Sequence, residues 1–124
     1  MNAIRHCTSI FENTSKLYQV NVQGREIHIP LKDILYFEAG RHVTLIHTLT
    51  NTISVTKVLS AICEDFEQNP EFIKVGRSYL VNRLYVRTVT QTDIEMMNSV
   101  IIPIPVRLQR EIRQQLTSEK FSKK

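Results

Sequence analysis

Residues 72–82, which read FIKVGRSYLVN, constrain the fold of this chain more than any other part of its sequence. Gly76 and Arg77 interrupt a run that is otherwise rich in apolar, strand-forming residues. An arginine in such a run needs a carboxylate, solvent or an anionic ligand, because burying an unpaired charge is very costly. The run therefore predicts a strand that breaks near Gly76. It also predicts that the Arg77 side chain contacts a carboxylate, solvent or an anionic ligand.

The segments around this run predict further strands. Residues 34–38 are apolar on both faces, which is typical of a central strand covered on both sides. Clean alternation over residues 43–48 and 52–56 predicts two strands joined by a turn at Thr50 and Asn51. The other predicted strands are Leu17–Val22 and residues 25–29 around a Gln23-Gly24 turn, then residues 84–90 and residues 94–102 with a turn near Asn98 and Ser99.

Two helices complete the pattern. Thr56 or a neighbour caps a short mid-chain helix that ends at Asn69-Pro70, and Pro105 suits the first turn of a C-terminal helix that runs to about Thr117. The helical spacing predicts that these residues face the core: Val58, Leu59, Ile62 and Phe66 in the first helix, and Leu108, Ile112 and Leu116 in the second.

The length of 124 residues fits one domain, with residues 1–16 as a lead-in, 17–117 as the domain and 118–124 as a frayed tail. Cys7 and Cys63 lie far apart without metal-type spacing, which favours unpaired thiols in a reducing compartment. No signal pattern and no long apolar run is present, so we expect a cytoplasmic protein without a membrane span. The net charge of +4 is compatible with a polyanionic partner.

Three blocks of sequence together resemble the LytTR-type DNA-binding domains that often form the C-terminal domain of bacterial response regulators. They are residues 34–42 (ILYFEAGRH), residues 76–82 (GRSYLVN) and residues 102–107 (IPIPVR), in the family's order and spacing. The resemblance implies a mainly β fold: an elongated set of small antiparallel sheets with about ten short strands, one short mid-chain helix and one C-terminal helix. It also implies that loops, rather than a recognition helix, enter successive major grooves of DNA.

The same resemblance implies which residues meet DNA. Base contacts are expected from His42 with Arg41 beside it, from Arg77 and from Arg107, although Arg41 could meet a base or a phosphate. Apart from the resemblance, Ser78 and Arg110 are candidates for phosphate contacts, because Ser78 follows Arg77 and Arg110 shares a helix face with Arg107. The chain departs from the family pattern at two positions. Gly76 stands where a histidine is common, and Pro105 lies near a position that is commonly Ser or Thr.

Each of these residues also has an ordinary structural interpretation. Arg77 could pair with Glu38 or Glu71 at a sheet surface, and Arg107 with Glu111 one helical turn later, a pair worth a few tenths of a kcal/mol. His42 could be a plain surface residue, Ser78 could cap the turn after Gly76, and Arg110 could belong to a solvated helix face. The sequence leaves these alternatives open.

The predicted function is sequence-specific binding of double-stranded DNA by a transcriptional regulator, with a second protomer on repeated sites and no cofactor or metal. Residues 1–16 are too few for the receiver domain that such regulators usually carry, so the chain is either a stand-alone regulator or part of a longer one. Its signal would arrive through an unidentified partner, through oligomerisation or through abundance. One alternative is a LytTR-like module that binds another regulator instead of DNA. An enzyme that uses Cys63 is another, but the sequence has no nucleophile elbow, phosphate loop or paired acids to support catalysis.

Overall fold

The computed structural model describes residues 16–116. Apart from Lys16, the predicted lead-in at residues 1–16, which includes Cys7, lies outside the described residues, as do Thr117 and the predicted tail at residues 118–124. Within them the chain forms ten strands and two α-helices: β1 (Leu17–Val22), β2 (Arg25–Pro30), β3 (Ile34–Ala39), β4 (Thr44–Thr48), β5 (Thr52–Val55), α1 (Leu59–Asp65), β6 (Phe72–Val75), β7 (Tyr79–Asn82), β8 (Val86–Val89), β9 (Asp93–Met96), β10 (Ile101–Pro103) and α2 (Gln109–Leu116). The mainly β prediction is confirmed.

All strand pairs are antiparallel and form three sheets. The largest has five strands in the order β5-β4-β3-β7-β6, so β3 lies at its centre, as its apolar sequence predicted. The β1–β2 hairpin forms a two-stranded sheet, and β8, β9 and β10 form a three-stranded one. Short 3-10 turns at Leu31–Asp33, Arg83–Tyr85 and Val106–Leu108 connect the sheets and α2.

Two apolar clusters pack on opposite faces of the five-stranded sheet. The first joins the sheet to the β1–β2 hairpin and α1 through residues such as Phe37, Ile62 and Phe66. The second joins it to the three-stranded sheet and α2 through Val81, Ile94 and Ile112, among others. Leu35 and Tyr36 both belong to the second cluster although they are adjacent. A register shift between β3 and β4 at this point allows it, because an irregular residue suspends the alternation of faces.

The β1–β2 hairpin has the turn that its sequence predicted. Gln23 and Gly24 both have positive φ, 53° and 81°, which matches the twist of antiparallel strands joined by a two-residue loop. The Asn21 side chain accepts a hydrogen bond from the Gly24 backbone N–H at 3.1 Å and closes the turn.

The start of α1 differs from the prediction. Val58 is the residue before the first helical turn, has extended backbone angles and is 56% exposed, and no side chain caps the helix there. Leu59, Ile62 and Phe66 make the predicted core contacts. The Thr44 hydroxyl donates to the Lys57 carbonyl at 2.7 Å. This bond holds the residues just before α1 extended against β4. The helix therefore starts too late for Val58 to turn inward.

The C-terminal helix also starts later than predicted. Pro105 precedes the 3-10 turn Val106–Leu108, and α2 begins at Gln109. Ile112 and Leu116 are buried in the second cluster, and Leu108 packs against it while partly exposed. No helix in residues 16–116 is long and apolar enough to cross a membrane.

Candidate nucleic-acid interface

Two turns that carry predicted site residues lie at the same end of the five-stranded sheet. Because β3 and β7 are antiparallel, with Glu38 opposite Tyr79, the end of β3 lies beside the start of β7. The Ala39 backbone N–H donates to the Ser78 carbonyl at 2.8 Å and joins the two turns directly. The β3–β4 turn (residues 40–43) and the β6–β7 turn (residues 76–78) are therefore neighbours.

The β3–β4 turn presents Arg41 and His42. The Gly40 backbone N–H donates to the Val43 carbonyl at 2.8 Å and closes the turn. His42 has a φ of 66°, in the left-handed region where histidine is among the more frequent non-glycine residues. Both side chains are exposed.

The β6–β7 turn contains Gly76, Arg77 and Ser78. Gly76 has a φ of 68°, a conformation that costs side-chain-bearing residues about 1–2 kcal/mol. The predicted break in the strand is confirmed, and it places Arg77 on an exposed turn instead of inside a strand. Ser78 is exposed as well.

Neither of the two carboxylates suggested as partners of Arg77 pairs with it: Glu38 contacts another residue, and Glu71 lies far away. The Glu38 carboxylate contacts the His47 ring at 2.9 Å. Glu71 precedes β6, at the opposite end of that strand from the turn, on the order of 13 Å away along an extended chain. Arg77 makes no ion pair with any residue that the structure describes.

A third segment, residues 104–107, lies against the β6–β7 turn. A Cβ atom on Gly76 would stand only 3.0 Å from Cγ of Pro105. The two positions at which the chain departs from the family pattern are therefore in contact, and the proline ring occupies the space that a side chain at position 76 would need. We call residues 40–43, 76–78 and 104–107 together the loop end.

Arg107 lies in the 3-10 turn that follows Pro105 and is exposed. The pair suggested with Glu111 does not form, and Arg107 has no ion pair among residues 16–116. The contact between Gly76 and Pro105 brings its segment beside the Arg77 turn. Three of the predicted cations, Arg41, Arg77 and Arg107, thus come from three adjoining segments.

Arg110 lies farther along, on α2. It lines an open groove of about 480 Å³ together with Gln91, Val106, Gln109, Arg113 and Gln114. Gln91 belongs to the β8–β9 turn, which is tied to the loop end because the Ile104 backbone N–H donates to the Thr92 carbonyl at 2.8 Å. The structure therefore places the amide side chain of Gln91 near the loop end, a residue that the sequence gave no reason to single out.

A smaller cavity of about 300 Å³ lies at the loop end on the α1 side of the sheet. It is lined by three basic side chains, those of His42, Lys74 and Arg77, and by Ala39, Gly40, Val43, Val58, Leu59 and Ser60. Lys74 was not among the predicted site residues. Its only signal in the sequence is that it is the charged, exposed position between the buried Ile73 and Val75 of β6.

The last residue of the 72–82 run has a structural role. Asn82 is 1% exposed, and its side-chain amide donates to the Ile34 carbonyl at 2.9 Å. Its side-chain oxygen accepts from the Leu84 backbone N–H at 3.0 Å and caps the 3-10 turn that follows. Because a buried amide without partners is costly, these bonds explain an asparagine in the core.

The described titratable groups give no sign of a catalytic or metal site. Burial raises the pKa of the Cys63 thiol, which disfavours the nucleophilic thiolate. Burial, and then the charge of Glu38, raise the pKa of Tyr36 to about 12. No group of three or more metal-ligating side chains occurs in residues 16–116.

A class of protein follows from the fold and this site: a mainly β domain whose exposed turns gather unpaired cations at one end of its central sheet. The family model of the LytTr DNA-binding domain matches residues 24–117, and the chain belongs to that family. The resemblance drawn from the three sequence blocks is confirmed. The family is a DNA-binding one, not an enzymatic one.

A solved structure has the same fold. It is described as the LytTr DNA-binding domain of a methyl-accepting/DNA response regulator from Bacillus cereus. It matches with a TM-score of 0.67 and 20% sequence identity, over 81% of this chain and 95% of that one. The likeness supports the fold of ten strands in three sheets. A search of curated proteins gave no match.

Proposed function

We propose that this domain binds double-stranded DNA sequence-specifically, with the loop end entering the major groove, and that it acts as a transcriptional regulator in the cytoplasm. The observation that carries the proposal is the loop end itself. Three adjoining segments present Arg41, Arg77 and Arg107 without an ion pair to any described residue. Exposed cations that lack internal partners are available to neutralise a polyanion.

Arg77 and Arg107 are the proposed base readers. A guanidinium group is planar and donates two parallel hydrogen bonds to O6 and N7 of guanine, which discriminates against another base by about 1–3 kcal/mol. His42 and Arg41, on the neighbouring turn, contact the adjacent base edges or phosphates. Ser78 and Arg110 donate to phosphates and hold the register on the duplex.

Two protomers on repeated sites fit this mode of binding. Each protomer presents short turns rather than a long recognition helix, so one domain contacts only a few base pairs in each groove it reaches. A second copy on a repeated half-site doubles the contacts, and bending of the DNA between grooves brings more phosphates to the protein.

The test begins with selection from random duplexes and continues with fluorescence anisotropy on the selected site. We expect Arg77→Ala and Arg107→Ala each to relax the preference at separate base pairs and to weaken binding by about 1–3 kcal/mol. Arg87→Ala is the matched control. It also removes one arginine, but Arg87 lies on β8, where its guanidinium contacts the Met97 carbonyl at 3.1 Å and Glu95 at 4.0 Å.

The control should bind the selected site like the unmodified chain. If affinity and base preference are unchanged in both loop-end variants, the base-reading assignment is wrong. If no selected duplex binds with a salt-dependent affinity, the proposed DNA binding is wrong, since it requires a log-log salt slope of about −0.9 per neutralised phosphate. That result would favour the alternative of a module that binds another regulator.

A further inference from the structure

We propose that the 300 Å³ cavity beside the loop end holds one phosphate of the DNA backbone, with Lys74 as its main counter-charge. This inference rests on the proposed function and adds to it a contact that neither the sequence blocks nor the predicted residues include. It separates two tasks at the loop end: the turns read bases, and a lysine set back on a strand fixes the position of the duplex.

The charges that line the cavity are all of one sign. His42 reaches it from the β3–β4 turn, Lys74 from β6 and Arg77 from the β6–β7 turn, and no carboxylate lines it. None of these side chains forms an ion pair within residues 16–116. A site with only basic side chains and no internal counter-ion favours an anion.

The rest of the lining strengthens that preference. Ala39, Val43, Val58 and Leu59 contribute apolar surface, and Ser60 contributes a hydroxyl group that can donate to an anion. Charges attract more strongly where apolar groups exclude water than they do in open solvent. Val58, which was predicted to face the core but is exposed, is part of this wall.

The position of Lys74 suits a phosphate better than a base. It lies on β6 opposite Leu80, two residues before Gly76, and is therefore set back from the turn by about 7 Å of extended chain. The major groove is about 8.5 Å deep. A residue set back by about 7 Å therefore lies near the DNA backbone when the turn reaches the bases. An ammonium group also provides a point charge without the planar geometry that reads guanine.

The ordinary alternative is that Lys74 only protects an edge strand. β6 is the outer strand of its sheet, and lysines on such strands hinder unwanted pairing with other chains. A lysine with that role alone has no effect on DNA affinity, so the two interpretations differ in a measurable way.

The test compares Lys74→Gln with the unmodified chain by anisotropy, on the selected duplex and on a duplex of unrelated sequence, across a series of salt concentrations. We expect the salt slope to become less steep by about 0.9, which corresponds to a roughly fivefold weaker affinity near 0.15 M salt. Both duplexes should be affected equally, and the base preference should not change. Lys74→Arg should restore most of the slope, because it keeps the charge.

Lys32→Gln is the matched control. It removes the same charge, but Lys32 lies at the opposite end of the five-stranded sheet, 3.6 Å from Asp33. If Lys74→Gln and Lys32→Gln have the same slope and affinity while Arg77→Ala still relaxes base preference, the phosphate site is wrong and the proposed function stands. A change of preference at particular base pairs in Lys74→Gln would also overturn it. If the unmodified chain binds no duplex, both proposals fail together.

Discussion

The two ends of the five-stranded sheet satisfy their polar groups in different ways. At the end opposite the loop end, the structure pairs them internally. The Asn82 amide donates to the Ile34 carbonyl at 2.9 Å, the Thr48 hydroxyl contacts Asn51 at 2.7 Å and the Tyr85 hydroxyl donates to the Lys32 carbonyl. At the loop end, Arg41 and Arg77 form no ion pair within residues 16–116.

This difference indicates how one small domain divides stability from binding. A side chain that is already paired contributes to the free energy of unfolding, whereas an unpaired exposed cation contributes little to it and keeps its charge for a ligand. Substitutions at the two ends should therefore affect different measurements.

The largest effect is expected at the internally paired end. Asn82→Ala leaves the Ile34 carbonyl and the Leu84 N–H without their side-chain partners in or near the core, so the free energy of unfolding should fall by about 2–3 kcal/mol. Urea denaturation measures it. The DNA affinity of the folded fraction should not change. Unchanged stability would show that these bonds do not hold that end together.

The next effect tests the contact that joins two segments of the loop end. Gly76→Ala places a methyl group 3.0 Å from Pro105 at a φ of 68°, and should cost about 1–2 kcal/mol of stability. Gly24→Ala is the control, because its φ is also positive but the space around it is open.

Combining Gly76→Ala with Pro105→Ala isolates the steric part of that cost. The double variant should be more stable than the sum of the two single effects predicts, by about 0.5 kcal/mol or more. Additive effects would mean that the two residues do not press on each other.

A smaller effect is expected when one positive charge is removed at either end of the sheet. Arg41→Gln and Lys32→Gln should both leave the free energy of unfolding within about 0.5 kcal/mol, since both side chains are exposed. Only Arg41→Gln should weaken DNA binding, by about 1 kcal/mol if it loses one phosphate contact. Thermal denaturation and anisotropy measure the two quantities. Equal DNA affinity in the two variants would contradict the difference between the ends.

The smallest effect concerns Asp65, the last residue of α1. Asp65 accepts hydrogen bonds from the Tyr18 hydroxyl at 2.6 Å and from the Lys57 ammonium at 2.5 Å. Partial burial would raise the pKa of Asp65, but the bonds from Lys57 and Tyr18 and the charge of Lys57 outweigh it and hold the pKa below its usual value of 3.8.

A lowered carboxyl pKa stabilises the fold above the unfolded-state value, and this stability is lost as the pH falls through the folded-state value. Asp65→Asn should therefore cost less than about 1 kcal/mol at neutral pH, because the pair is partly exposed. The difference between the two proteins should shrink as the pH drops below 3.8, as urea denaturation across pH would measure. A constant difference would exclude the carboxylate as its cause.

Much of the fold could be predicted from local pattern. The Gln23-Gly24 turn, the doubly covered β3 and the break near Gly76 each depend on neighbours in sequence, and alternation or turn chemistry is enough to reveal them. The start of α1 was predicted wrongly, because it depends on the Thr44–Lys57 hydrogen bond between separate elements. Helical spacing cannot show such a contact.

The sequence by itself determined the succession of strands and helices along the chain, the family and the cations at positions 41, 77 and 107. Only the tertiary structure decided that these cations occupy adjoining segments, that Pro105 fills the space beside Gly76 and that Lys74 shares a cavity with Arg77. The physical reason is the sequence separation over which the relevant contacts form. Periodicity reports which face of a strand a residue occupies, whereas neighbours across a sheet end depend on how antiparallel strands pair over long separations.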